Sequence, residues 1–469
     1  MSDNVGAIIE TGPSDWQIFQ QDSRGLADIP LAGRWVLPNE QTKMAALEVR
    51  LAREDNGQTV APHLDWAAAA VAKDGTWKHV IRRVPAGGLY RIETRLTTVG
   101  MSPMWGVRGD MRHFIGVGDL WVIAGQSNSA GYGMGMASDG PELGVHLYNN
   151  AMRWTVASHP LNDSTDIAHA ANRDGVNTWH SPWLHWARRI KQEAHIPVGL
   201  VQASLGGSPL ESWNPTEEGA HPLYDVLLRV VQGVGGKVRG VLWYQGCSDT
   251  SAPRANTYLK RFTAMVKAWR KALELPRLYV LTVQLNRVYD GKTEKDMGWS
   301  IVREAQRQAA KRLRDCCVIP TLDLPMSDLV HNSASANLLL AERAALAALG
   351  EVYGKDVRWR APEIASATAA RDGKSVELTF DHVHKHLARI DMAAVPFEVE
   401  DRQGTVAIEK LELNVVGRTN VVRLLLGRPL SGKAVVHGAP GQDPVSALHS
   451  CESLLPMLAF YGFPVAAGR

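Results

Sequence analysis

Hydrophobic and polar positions change their rhythm twice along the chain. Up to about residue 115 they alternate in short stretches broken by Gly and Pro, as in 16–20 and 90–96. A period of two without helical spacing predicts short strands in a small sandwich or jelly roll. From about 119 an apolar run and an amphipathic stretch take turns. The segments 120–124, 198–203, 238–244, 278–285 and 317–322 read as strands, and 183–194, 258–273, 301–313 and 334–349 as helices. Strands that are apolar on both faces and alternate with helices predict an α/β domain whose parallel sheet is covered on both sides. From about 358 the alternation returns, as in 375–380, and predicts a second β-rich module. The expected organisation is a β-rich module over 1–115, an α/β domain over 116–355 and a β-rich module over 356–469. A chain of 469 residues is too long for one ordinary core, which agrees with that division.

Composition narrows the function. Hydrophobic residues make up 45% and charged residues 21%, an ordinary globular balance. With 51 basic against 48 acidic side chains there is no electrostatic footprint for nucleic acid. The basic run 78–83 alternates within a predicted strand and reads as a solvated face. Cys247, Cys316, Cys317 and Cys451 are too few and too irregular for a disulfide framework, and read as small buried apolar residues. The first residues carry neither a positive nor an apolar leader region, and no run of eighteen apolar residues exists. A cytoplasmic location without membrane contact is expected.

Open parallel sheets bind ligands at the carboxyl ends of their strands, and four such ends are informative. After the first comes Gly125-Gln126-Ser127-Asn128, a tight corner from which a serine hydroxyl can project as a nucleophile. Gly-x-Ser-x-Gly is absent, since position 129 is Ser, so this is not an α/β-hydrolase elbow. After the second, Gly206-Gly207-Ser208 lets backbone approach a ligand and offers an N–H to an oxyanion. After the third, Gln245 follows a very apolar strand and can offer its amide to the same oxyanion. After the last, Asp328-Leu329-Val330-His331 lets a carboxylate fold back onto an imidazole of its own loop. That would fix the tautomer able to take the serine proton.

In this order the four segments resemble the SGNH hydrolases, and within them the sialate O-acetylesterase-like carbohydrate acetylesterases. Gly118 to Asn128 is similar to that family's nucleophile block, Leu205 to Trp213 to its glycine block, and Trp243 to Gly246 to its third. Asp328 to His331, before a helix with Glu342-Arg343, is similar to its last. The flanks 19–22, 85–90 and 455–460 resemble the family more loosely. Cys247 stands where the family usually has Glu, and Ser129 where it has Met; Asp249 is a possible substitute for the missing charge. The resemblance implies a flavodoxin-like, three-layer α/β/α domain of SGNH type. It also implies a serine esterase that removes O-acetyl groups from a carbohydrate, needing neither cofactor nor metal.

The residues expected to act are Ser127 as nucleophile, His331 as general base and Asp328 as its partner. Ser127 N–H, Gly207 N–H and the Gln245 amide would hold the oxyanion, with Asn128, Trp213 and Asp249 as substrate contacts. Most of the fifteen tryptophans are expected in cores, with Trp213 and Trp179 as candidate sugar platforms. His382, His384 and His386 would share one face of a strand, but no carboxylate cluster accompanies them and a metal is not expected. The Gly131-Tyr132-Gly133-Met134-Gly135 run lacks dinucleotide-binding spacing and reads as a flexible loop. Cys247 is a second-choice nucleophile. The alternatives are a noncatalytic carbohydrate-binding protein on the same fold, and a lipase or thioesterase. The polar 149–163 stretch speaks against the acyl channel that a lipase needs.

Overall fold

One strand, Val107–Gly125, carries the change of rhythm from the first module to the second. The computed structural model describes residues 5–176, 178–289, 296–444 and 448–468. Over its first half this strand pairs antiparallel with Gly87–Thr98, and its residues are partly exposed. From Ile115 onward every residue is buried, and Val198–Gln202 and Gly240–Tyr244 flank it in parallel. The switch from alternating to continuous burial is what a sheet shows when it passes from one covered face to two. Residue 116, the expected boundary, therefore lies inside a strand.

The central sheet runs in the order Trp154–Val156, Val145–Tyr148, Val198–Gln202, Val107–Gly125, Gly240–Tyr244, Tyr279–Val283, Cys316–Ile319. All neighbours are parallel except the first pair. Among the described residues six α-helices accompany it: α1 (Ser127–Ala130), α2 (Pro182–Ala194), α3 (Pro222–Gly233), α4 (Ala252–Ala272), α5 (Met297–Arg312) and α6 (Ala334–Glu351). Register shows how they are placed. Trp121 pairs with Gly240, while Ala124, three residues on and so on the other face, pairs with Trp243. Trp121 packs edge-on against Trp186 of α2 at 5.0 Å, and Trp243 against Trp269 of α4 at 5.4 Å. Both faces are thus covered by helix.

The strands Val145–Tyr148 and Trp154–Val156 and the helix α3 lie outside the elements expected from sequence. The two strands are too short to show a period. Helix α3 buries Leu223, Val226, Leu227, Val230 and Val231, a helical spacing present in the sequence but unread.

Among the described residues two antiparallel four-stranded sheets and one two-stranded sheet form the C-terminal part, around Phe380, Phe397 and Phe460. His382, His384 and His386 fall between the strands Ser375–Asp381 and Leu387–Arg389, with His382 at a φ of 58°. They share no strand face, because those positions form an irregular link between strands of two different sheets, with positive φ at His382 and Lys385. This part docks on the central domain through buried polar groups. Gln284 exchanges two hydrogen bonds with the backbone of Ala459, at 3.0 and 2.9 Å. Fully buried Arg303 donates to the carbonyls of Leu285, Asn286, Gly441 and Gln442. Among the described residues no helix is long and apolar enough to cross a membrane.

Candidate active site

The corner after Val107–Gly125 is set by Gly125, at a φ of 113°. A Cβ there would stand 2.4 Å from the Tyr244 carbonyl, so neither conformation nor space admits a side chain. Ser127 then opens the four-residue α1 and is almost buried. Its hydroxyl donates to His331 Nε2 at 2.8 Å, and Asp328 Oδ2 accepts from His331 Nδ1 at 2.7 Å. The other Asp328 oxygen accepts the N–H groups of Val330 (2.9 Å) and His331 (2.8 Å), which curls the loop onto its own carboxylate. Burial raises the Asp328 pKa, but these N–H groups and the imidazole outweigh it and hold the carboxyl below its usual range.

Asn128 is buried and straddles this loop. Its amide donates to Val330 O and accepts from Asn332 N–H, both at 3.0 Å. It fixes His331 from both sides and has no surface for a substrate, which corrects its expected role as a substrate contact. Behind the loop, Asn286 donates to Asn332 at 2.7 Å, and the backbone of Asn286 is one of the groups gripped by Arg303.

The glycine block lies against the same corner. Leu205 N–H and Ser208 Oγ both donate to Gly125 O. Gly207 has a φ of 67°, and its N–H donates to no protein group among the described residues; neither does the N–H of Ser127. Gly206 N–H points the other way, to Asp174 (3.1 and 3.3 Å). The same buried carboxylate accepts the Tyr132 hydroxyl at 2.9 Å and the Asn162 amide. Burial raises the Asp174 pKa, with these three donors acting against it. Tyr132 lies with its ring 5.0 Å from that of His331. Asp174 thus ties the glycine corner to the group packed on the imidazole. Sequence reasoning missed both residues: Asp174 sits in a polar stretch without a motif, and Tyr132 in the glycine run read as a flexible loop.

Gln245 is fully buried and its amide is committed elsewhere. It donates to Asp249 (2.7 Å) and Ser208 O (3.2 Å), and accepts from the Tyr258 hydroxyl (2.9 Å). With both amide protons used, it has none for an oxyanion, which corrects the expected role. Asp249 also is inaccessible, holding Leu210 N–H and Arg261 at 2.8 Å each. Trp213 packs in the core against Trp243 and donates to Ser208 Oγ, so it offers no platform. Asp249 and Trp213 are supports of the site and not its surface. Burial pushes the Cys247 thiol up to about 12, which leaves it protonated and a poor nucleophile. Trp179 is half exposed and stands 6.5 Å from Tyr132, ring to ring.

Asp139, His159 and His180 bring their ligand atoms within 4.8 Å of one another. Asp139 accepts from His180 Nε2 at 2.8 Å and from His159 Nε2 at 3.1 Å. The Ser181 N–H donates to His159 Nδ1, so that ring carries its proton on Nε2, toward the carboxylate. Metal-bound imidazoles instead donate from the far nitrogen. The hydrogen bonding is that of a carboxylate held between two imidazoles.

Residues 117–350 match the family described as carbohydrate esterase, sialic acid-specific acetylesterase. A probable carbohydrate esterase of Arabidopsis thaliana is 27% identical over 245 residues, covering 47% of this chain and 86% of that protein. The human sialate O-acetylesterase is 21% identical over 43% of each chain, so this chain matches less than half of that relative's length. A solved carbohydrate acetylesterase from Xanthomonas citri shares the fold with a TM-score of 0.65 at 22% identity, over 96% of this chain and 98% of the other. Through residues 117–350 the chain therefore belongs to the sialic acid-specific acetylesterase family of carbohydrate esterases, and is a carboxylic ester hydrolase.

Proposed function

We propose that the chain removes O-acetyl groups from a carbohydrate through an acyl-enzyme on Ser127, within an SGNH-type three-layer α/β/α domain spanning about 116–355. The observation that carries this reading is the continuous relay from Ser127 Oγ to His331 Nε2 (2.8 Å) and from His331 Nδ1 to Asp328 (2.7 Å). His331 takes the hydroxyl proton as Ser127 attacks the acetyl carbonyl, and Asp328 stabilises the imidazolium. The unused N–H groups of Ser127 and Gly207 meet the oxyanion; Gln245 braces the wall behind them. As the tetrahedral intermediate collapses, His331 returns the proton to the departing sugar oxygen. Water, deprotonated by the same imidazole, then attacks the acetyl-serine and releases acetate.

Ser127→Ala is the test. Loss of a triad nucleophile typically lowers the rate by about 10⁴-fold or more. Hydrolysis of an aryl acetate and of an acetylated sugar by the folded variant should fall by that factor. Activity within tenfold of the parent protein would overturn the serine mechanism.

A further inference from the structure

Past Tyr132 the surface opens into a cleft of about 590 Å³. Met134 and Trp179 form its apolar walls, with Asp139, His159 and His180 beneath. This cleft adjoins the proposed site. The Met134 carbonyl accepts from Ala334 N–H and the Met134 N–H donates to Ser327 Oγ, and both partners flank the His331 loop. Trp179 is 51% exposed, an unusual state here, since most tryptophans of the chain are buried. Its main chain is pinned: the backbone N–H donates to Gly131 O at 2.7 Å, and the next residue, His180, exchanges two backbone bonds with Gly133. An open indole on a pinned backbone gives a flat apolar ligand face a large contact area, with two side-chain torsions to order.

The polar part of the cleft decides which ligand. Among its described lining residues there is no Lys or Arg, and the carboxylate present is Asp139, both of whose oxygens are bonded to the two imidazoles. A sugar ring has an apolar face for Trp179 and Met134, and neutral hydroxyls that keep their water in the open part of the cleft. A sugar acid would have to lose water from its carboxylate with no cation in return, beside another negative charge.

We propose that this cleft binds the pyranose ring of a neutral glycan against Trp179, and that the chain acts on acetylated neutral sugars in preference to acetylated sialic acids. The inference rests on the esterase reading above. The measurement is kcat/KM on 4-nitrophenyl acetate, acetylated cellobiose and 9-O-acetylated sialic acid. Acetylated cellobiose should exceed acetylated sialic acid by tenfold or more. Trp179→Ala should lower the ratio of acetylated cellobiose to aryl acetate about tenfold, the scale of one lost aromatic contact, and Trp179→Phe should restore most of it. A higher kcat/KM on acetylated sialic acid, or a ratio that Trp179→Ala leaves unmoved, would overturn the proposal. Calorimetry of cello-oligosaccharide binding to Ser127→Ala protein reads the cleft without catalysis. Binding there that Trp179→Ala abolishes supports the cleft even if the ester chemistry were assigned wrongly, and no binding counts against it.

Discussion

The two walls of the Ser127 corner are held by different means. The histidine wall is held by its own loop and by neutral groups: Asp328 bonds to two N–H groups of its own loop, and the amides of Asn128 and Asn286 clamp the rest. The glycine wall depends on two buried carboxylates brought from far along the chain. Asp174 fixes Gly206, and Asp249 fixes both Leu210 and Gln245. The two walls need different kinds of precision. A general base needs one orientation, which a short loop can supply. An oxyanion pocket needs empty N–H groups held still, and that requires strong acceptors on the neighbouring donors.

The largest effect should come from the histidine wall itself. His331→Ala should lower kcat for an aryl acetate by about 10⁴-fold, and combining it with Ser127→Ala should add little, because members of a relay act as one unit. Multiplicative losses would place His331 outside the relay.

Gly206→Ala probes the other wall. A Cβ there would stand 2.6 Å from Asp174 Oδ1 and 2.9 Å from the Tyr132 hydroxyl. The substitution should displace both and lower kcat by about 10²-fold, the scale of one lost oxyanion donor, with KM little changed. An effect on KM alone would mean that the corner serves binding and not the transition state.

Gln245→Ala should be milder for chemistry. It takes one donor from buried Asp249, which keeps Leu210 N–H and Arg261, and the side-chain acceptor from the Tyr258 hydroxyl, which keeps the carbonyl of residue 245, a loss of about 1–3 kcal/mol in stability. Melting temperature should drop while kcat stays within about tenfold. A 10²-fold fall in kcat without a stability change would restore Gln245 as a direct donor.

What the sequence made legible follows the same division. The sheet core, the order of strand ends and the Asp328–His331 loop can be read because their determinants are local: continuous apolar runs and a three-residue spacing. Gln245 misled because a polar residue at a strand end is equally a donor and a brace. Which it is depends on Asp249, 4 residues on in the turn after the strand, and on Tyr258, 13 residues on and carried by α4. Trp213 misled for a related reason, since a tryptophan beside a loop looks available until Trp243 and Trp269 are known to enclose it. Asp174 was invisible because its partners, Tyr132, Asn162 and Gly206, share no motif with it.

The smallest predicted effect separates the walls by the sign of a pH dependence. Asp174 has its folded-state pKa raised, chiefly by burial, so the native state holds that proton more tightly than the unfolded chain, whose carboxyls titrate near about 3.9. Wild-type stability therefore falls as pH rises from about 3.9 through the folded value, and the penalty is complete above it. Asp174→Asn has no such titration, so its melting temperature relative to wild type should improve between about pH 4 and neutrality. Any fixed loss from the altered contact with Asn162 shifts this difference without changing its slope. Asp328 behaves oppositely. Its folded pKa is lowered, so its contribution is present above about 3.9 and disappears as pH falls through the folded value. Asp328→Asn should thus lose ground to wild type as pH rises toward about 4, by a small amount because the group is a third exposed and screened. Thermal melts of both variants and the wild type across about pH 3 to 7 measure the two slopes. Parallel slopes would mean that the two carboxylates experience the same kind of environment, and the contrast between the walls would not survive.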